Sequence, residues 1–114
     1  MTWDEAYDLL RSLPPGTRIP KPGSDRRYEI KGWVSVNGEE RIAYTVANKA
    51  IPISWLRKSL GELSRTGRLE SAWFRRAFYK GKDLGGCNFT TVGGLFQLIG
   101  IAKYSRPGVY VAAP

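Results

Sequence analysis

The sequence predicts an α+β domain in which an N-terminal helix and a β-hairpin pack on a helical C-terminal half that ends in a second hairpin. Three observations carry this. Apolar residues recur at helical spacing near the N-terminus and again between residues 53 and 99. Asn37-Gly38 lies between two runs rich in β-branched and aromatic residues, the strongest short-range hairpin signal. Two short runs, 101–104 and 109–112, flank Ser105-Arg106-Pro107-Gly108 as strands flank a turn. With 114 residues, 42% hydrophobic and 25% charged, the chain reads as one folded domain, residues 1–114, and not as a disordered segment. Residues 1–50 supply the first helix and hairpin, and residues 51–114 the rest.

Thr2-Trp3-Asp4-Glu5 has the form of a capping box, with Thr2 as N-cap and Glu5 three residues on. Ala6, Leu9, Leu10 and Leu13 supply the apolar stripe that follows, Trp3 and Tyr7 lie alongside it, and Pro14-Pro15-Gly16 stops the helix. The stretch through Pro20, Pro22 and Gly23 to Ser24 reads as a loop or edge segment. Residues 27–47 then form the first hairpin. A two-residue loop would pair Val34 with Arg41 and Trp33 with Ile42, mixing apolar and charged groups on both faces. A three-residue loop, with Gly38 in a left-handed bulge position, pairs Val34 with Ile42, Gly32 with Tyr44 and Ile30 with Val46. That register gives one continuous apolar face, and burial of one face fixes register, so it is the one expected. It leaves Trp33 on the other face among Glu29, Lys31, Ser35 and Arg41. There the indole either stacks on a base or is covered by the N-terminal helix.

In the second half, Ile53, Leu56, Leu60 and Leu63 mark a helix that Thr66-Gly67 ends, with Arg57, Lys58 and Arg65 off the apolar stripe. Arg68-Leu69-Glu70 is too short for a helix and predicts one short strand beside the final hairpin. Ser71 is expected to cap a helix over residues 72–79, with Trp73, Ala77 and Phe78 inward and Arg75 and Arg76 outward. Residues 80–86 hold three glycines and two lysines and read as a loop. Val92, Leu95, Phe96 and Ile99 give a third helix over residues 88–100, capped by Asn88 or Thr90 and ended by Gly100 in a left-handed turn.

Charge is unevenly placed. Residues 1–50 carry eight Lys/Arg against seven Asp/Glu, and residues 51–114 carry ten against three, so +7 of the net +8 lies in the second part. A polyanion is the natural partner of that asymmetry, because each neutralised phosphate releases condensed counterions. Surface solubility is the plainer reading of the same charge. The chain has no histidine and one cysteine, Cys87. This removes Ser-His and Cys-His pairs, the usual zinc sites and any internal disulfide, and no cofactor or metal is expected. Glu29-Ile30-Lys31 matches half of a metal-dependent nuclease pattern, but Asp25 and Asp8 are poorly spaced to complete it, so no enzyme is expected. Gly81 to Gly86 is basic yet lacks the strand and spacing of a phosphate-binding loop, and Cys87 reads as a half-buried small residue. No apolar run approaches the roughly 18 residues that span a bilayer. With no basic-then-apolar N-terminal signal, the cytoplasm is the expected compartment and no membrane partner is expected.

The order helix, short strand, helix, helix, strand, turn, strand in residues 51–114 resembles the winged helix-turn-helix superfamily. The residues that carry it are 69–71, 88–100 and 101–111, and the likeness is to an architecture without invariant motifs. The resemblance implies a third helix in the major groove and a wing on the neighbouring backbone or minor groove. On this chain it makes Asn88, Thr90, Thr91 and Gln97 the side chains facing base edges. It sets Arg75, Arg76, Lys80 and Lys82 on phosphates beside that helix, and Lys103 and Arg106 on phosphates from the wing. The third helix departs from the pattern. It has no Arg or Lys, and it carries Gly93-Gly94, which costs roughly 1 kcal/mol per glycine against Ala in a helix interior. Either the glycines admit a close backbone, of DNA or of the second helix, or this face binds protein, since Leu98 shares it with Thr91 and Gly94.

The expected function is therefore non-enzymatic binding of duplex DNA, favoured over RNA, by a small regulator of transcription or an accessory protein of a phage or mobile element. The alternative is a protein-interaction or dimerisation module that uses the third helix or the hairpin edge.

Overall fold

The computed structural model describes residues 1–23, 27–45, 49–80 and 87–114. Helix α1 (Trp3–Ser12) starts at the expected capping box: Thr2 Oγ1 accepts from the Glu5 amide, and Glu5 Oε1 accepts from the Thr2 amide, each at 3.2 Å. Ala6 and Leu10 are its buried face. The segment after it bridges Arg18 to Glu29 and buries Ile19.

Strands β1 (Ile30–Val36), β2 (Glu39–Tyr44) and β3 (Ala50–Pro52) form an antiparallel sheet in the order β1-β2-β3. The register differs from the expected one. Asn37 and Gly38 both have positive φ, 52° and 80°, as a two-residue type I′ turn requires, and Trp33 pairs with Ile42 and Val34 with Arg41. Val34 stays opposite Arg41, but a bulge between Ile30 and Gly32 shifts the register beyond it by one residue. It brings Ile30 opposite Tyr44, and both enter the core. The cost is left at the hairpin end, where Val34 and Val36 stay 43% and 41% exposed. The expected partner of Ile30, Val46, lies outside the described residues. β3 had no signal of its own. It is three residues long, and Pro52 is tolerated because it terminates an edge strand.

Trp33 is covered, the second of the two alternatives. Tyr7 meets it edge-on at 5.8 Å, and the Arg11 guanidinium lies 4.0 Å from its ring centre while bonding Tyr7 and pairing with Glu40.

Helix α2 (Ile53–Thr66) buries Leu56, Leu60 and Leu63 and ends at Gly67 in a left-handed cap. Strand β4 (Arg68–Glu70) leads directly into α3 (Ser71–Phe78). Its N-cap is Glu70, not Ser71, and has no side-chain cap bond; Ser71 instead donates its amide to the Gly108 carbonyl. Phe74 is the buried residue of α3, with Trp73, Ala77 and Phe78 half-buried around it. Helix α4 (Cys87–Leu98) precedes β5 (Ala102–Arg106) and β6 (Val109–Ala112), and the second antiparallel sheet has the order β4-β6-β5. Asn88 and Thr90 lie inside α4 and do not cap it: Asn88 accepts from Tyr44, and Thr90 bonds the Cys87 carbonyl. Gly100 takes the expected left-handed conformation.

α4 is the axis of the molecule. Phe89 and all residues from Thr91 to Phe96 are buried. Its two glycines are required by contact. A Cβ at Gly93 would overlap the Tyr110 ring, and one at Gly94 would lie 2.5 Å from Ile19 Cγ2 and 2.6 Å from the Pro20 carbonyl oxygen. One continuous core runs from Ala6 and Leu10 through Ile30, Ile42 and Tyr44 to Leu56, Phe74, Phe96 and Tyr110, so both halves of the chain share it. Among the described residues, no helix is long and apolar enough to cross a membrane.

Candidate nucleic-acid interface

Six exposed cations lie on two surfaces that meet at one hydrogen bond, while Arg11, Arg18, Arg27, Lys31, Arg57, Lys58 and Arg65 are exposed on other parts of the molecule. On α3, amphipathic spacing turns Phe74 inward and sets Arg75 and Arg76 in solvent, with Lys80 exposed just beyond the helix. The second surface is the outer face of the β4-β6-β5 sheet. Cross-strand partners share a face, so Arg68, Val111 and Lys103 form one row, and Glu70, Val109 and Arg106 the next. A bulge between Tyr104 and Arg106 turns Arg106 onto this outer face. The alternate row, Leu69, Tyr110 and Tyr104, faces the core. The two surfaces join where the Ser71 amide donates to the Gly108 carbonyl at 2.9 Å, the start of α3 against the β5–β6 turn.

Among the described residues no ion pair engages these cations, although Glu70 shares the outer sheet face with Arg68 and Arg106. The ion pairs among the described residues are Arg11 with Glu40 and Arg65 with Glu62; Arg68, Arg75, Arg76, Lys80, Lys103 and Arg106 take part in neither. Lys82, expected beside them, lies outside the described residues. Arg68 was not anticipated as a site residue. Its signal was present in the alternation of Arg68-Leu69-Glu70, which on a strand sends Arg68 to the face opposite buried Leu69.

The four side chains expected at base edges are not assembled into a reading surface. Asn88 and Gln97 are nine positions apart, about 180° around the helix, so one groove cannot meet both. The Tyr44 hydroxyl donates to Asn88 Oδ1 at 2.7 Å. Thr91 is 0% exposed and donates to the Cys87 carbonyl at 2.8 Å, which leaves it no path to a base. Thr90 and Thr91 both accept from Lys21 Nζ, at 2.8 and 2.5 Å. Gln97 is half-buried near the other end of α4. The physical reason is the segment before β1. Ile19 and Pro20 pack on Gly94, and Lys21 closes over the first turn of α4, so the face that would lie in a groove is already filled by the chain itself.

Lys21 donates all three protons, to the Cys87 carbonyl and the two threonines, and its ammonium lies 4.4 Å from the Tyr28 ring centre. Burial pushes its pKa down to about 8. The positive end of the α4 dipole acts in the same direction. Burial acts to raise the Cys87 thiol, but the Tyr44 hydroxyl and the Lys21 ammonium outweigh it and hold the thiol below its ordinary value. Burial also pushes the Tyr44 phenol well up. Neither periodicity nor motif pointed to Lys21, because its partners lie more than 60 positions away in the chain.

The glycine face of α4, expected as one possible protein-binding surface, is filled by Tyr110, Ile19 and Pro20. Among the described residues, no three His, Cys, Asp or Glu side chains come together as a metal site. The chain matches no family model, no curated protein and no solved structure.

Proposed function

We propose that this protein is a non-enzymatic nucleic-acid-binding protein whose residues 51–114 form a winged helix-turn-helix that holds duplex DNA by its phosphates. The observation that carries this reading is the set of exposed cations on α3 and on the β5–β6 hairpin, in no ion pair among the described residues and joined at Ser71 and Gly108. The element order from α2 to β6, and the placing of β6 between β4 and β5, support the architectural part. Arg75, Arg76 and Lys80 grip phosphate from the helix side, and Arg68, Lys103 and Arg106 from the sheet side. Because α4 is covered by residues 19–21, the readout is of backbone and shape, with little discrimination among sequences. Such a role suits an accessory or architectural protein better than an operator-specific regulator of transcription.

The test is fluorescence anisotropy on random duplex DNA over a series of salt concentrations. Log Kd should rise linearly with log salt, with a slope near 0.9 per phosphate contacted. Arg75→Ala with Arg76→Ala should weaken binding to every sequence alike and reduce the slope by about 2. Unchanged affinity in that double variant would refute the geometry.

A second reading retains one supporting observation. The exposed Val34 and Val36 lie at the hairpin end of β1, an outer strand in the sheet order whose Ile30 end is bonded to Gly16 and Thr17, and that apolar end is a surface for strand pairing with a second copy or another protein. Light scattering on the purified chain, with and without DNA, separates the two.

A further inference from the structure

Beside the basic surface the structure holds a cleft of about 310 Å³ between the first turn of α4, the β5–β6 hairpin and the segment at Pro22. Its floor is aromatic: Phe89 meets Tyr110 at 5.5 Å and Tyr110 meets Tyr104 at 5.7 Å, both edge to face. Pro22 and Pro107 also line it. Phe89 and Tyr110 are buried, whereas Tyr104 is 37% exposed although it lies on the core-facing row of its sheet. A tyrosine in that row normally closes against the core; here one part of its ring is left on the cleft.

We propose that this cleft receives one unpaired nucleobase of a bound strand, with Tyr104 as the stacking surface. The proposal rests on the nucleic-acid reading above and gives it a substrate class: duplex carrying a single-stranded tail or a splayed base. Three features select this occupant. The walls are aromatic rings and prolines, which suit a flat heterocycle, and every base presents a π-face to such a surface. The cleft volume exceeds that of a single base. Finally, the strand that carries Tyr104 carries Lys103 and Arg106 on its other face, so an inserted base arrives on a chain whose phosphates meet cations. An intact duplex keeps its bases stacked and offers none to the cleft, so occupancy requires a base that is already unpaired or cheaply unstacked.

The experiment compares anisotropy-based Kd values for a blunt duplex, the same duplex with a three-nucleotide DNA tail, the same tail made of abasic spacers, and the same tail in RNA. The wild-type protein should bind the DNA-tailed duplex roughly 10-fold more tightly than the blunt or abasic-tailed one. Tyr104→Ala should erase that preference while leaving affinity for the blunt duplex unchanged, and Tyr104→Phe should keep it. Thermal melts confirm that both variants fold. A preference shared by the RNA tail assigns the site to bases of either sugar; one confined to DNA assigns it to DNA. Equal binding of the base-bearing and abasic tails overturns the proposal, as does a preference that survives Tyr104→Ala. In either case blunt-duplex binding that still depends on Arg75 and Arg76 leaves the phosphate-binding reading standing. Failure to bind any probe overturns both.

Discussion

Gly94→Ala adds one methyl group where α4 meets the segment that covers it. The new Cβ would lie 2.5 Å from Ile19 Cγ2 and 2.6 Å from the Pro20 carbonyl oxygen, well inside contact distance. The Ile19 side chain is itself 1% exposed and has no free space to turn into, and the Pro20 oxygen is backbone, so relief requires residues 19–21 to move away. Replacing glycine by alanine in a helix interior is worth about 1 kcal/mol in favour of folding. Overpacking a tight core costs about 1–3 kcal/mol, and more when backbone must shift. The clash therefore outweighs the propensity gain, and the net change is destabilisation by about 1–2 kcal/mol, a fall in Tm of roughly 5–10 °C. Gly61→Ala is the internal control. Gly61 lies on the exposed side of α2 with no atom within 4 Å of its would-be Cβ, so the same substitution should stabilise by about 0.5–1 kcal/mol. Urea denaturation followed by far-UV circular dichroism measures both. A Gly94→Ala protein as stable as the wild type would show that α4 is not covered at this face, and would reopen base readout by that helix.

The remaining expectations are simpler. Because burial lowers the Lys21 pKa to about 8 from an ordinary 10.5, the unfolded chain binds more protons between those values, and this group's contribution to stability climbs as pH rises through them. The lowered Cys87 thiol adds to that climb below pH 9, while the raised Tyr44 and Tyr110 phenols reverse it above pH 10, where the unfolded chain loses protons the folded one keeps. Urea midpoints across pH 7 to 11 should therefore pass through a maximum, and Lys21→Met should flatten the rising limb; an equally steep limb in the variant would refute the assignment. Thr2→Ala removes the hydroxyl that accepts from the Glu5 amide at the start of α1, leaving the Thr2 amide on Glu5 Oε1, and should cost about 1 kcal/mol in the same assay. Arg68→Ala and Lys103→Ala should each reduce the salt slope of duplex binding by about 1; no change in either would remove the outer sheet face from the interface.

Much of the fold was legible in order along the chain. The Thr2 box, the leucine spacing of α2, the Asn37-Gly38 turn and the final hairpin are all set by residues within a few positions of each other, and local rules read such signals well. The basic side chains of α3 were equally readable, since amphipathic spacing orients them without reference to the rest of the molecule. The hairpin register was not. One bulge between Ile30 and Gly32 exchanges the two faces partway along β1, and no local pattern announces where a strand will slip.

What the amino-acid sequence determined by itself was the inventory: which segments coil or extend, where cations outnumber carboxylates, and that histidine chemistry is absent. Tertiary structure alone decided which of those groups face solvent. Gly93 and Gly94 read equally as a docking face or as a tight internal contact, and only the arrival of Tyr110, Ile19 and Pro20 made them the latter. The same packing withdrew Thr91 from any ligand and brought Lys21 to the head of α4. It also set Arg68 beside Lys103 across β6. Helical and strand periodicity is a property of neighbours in the chain, whereas exposure depends on contacts between segments many residues apart, which local spacing does not encode.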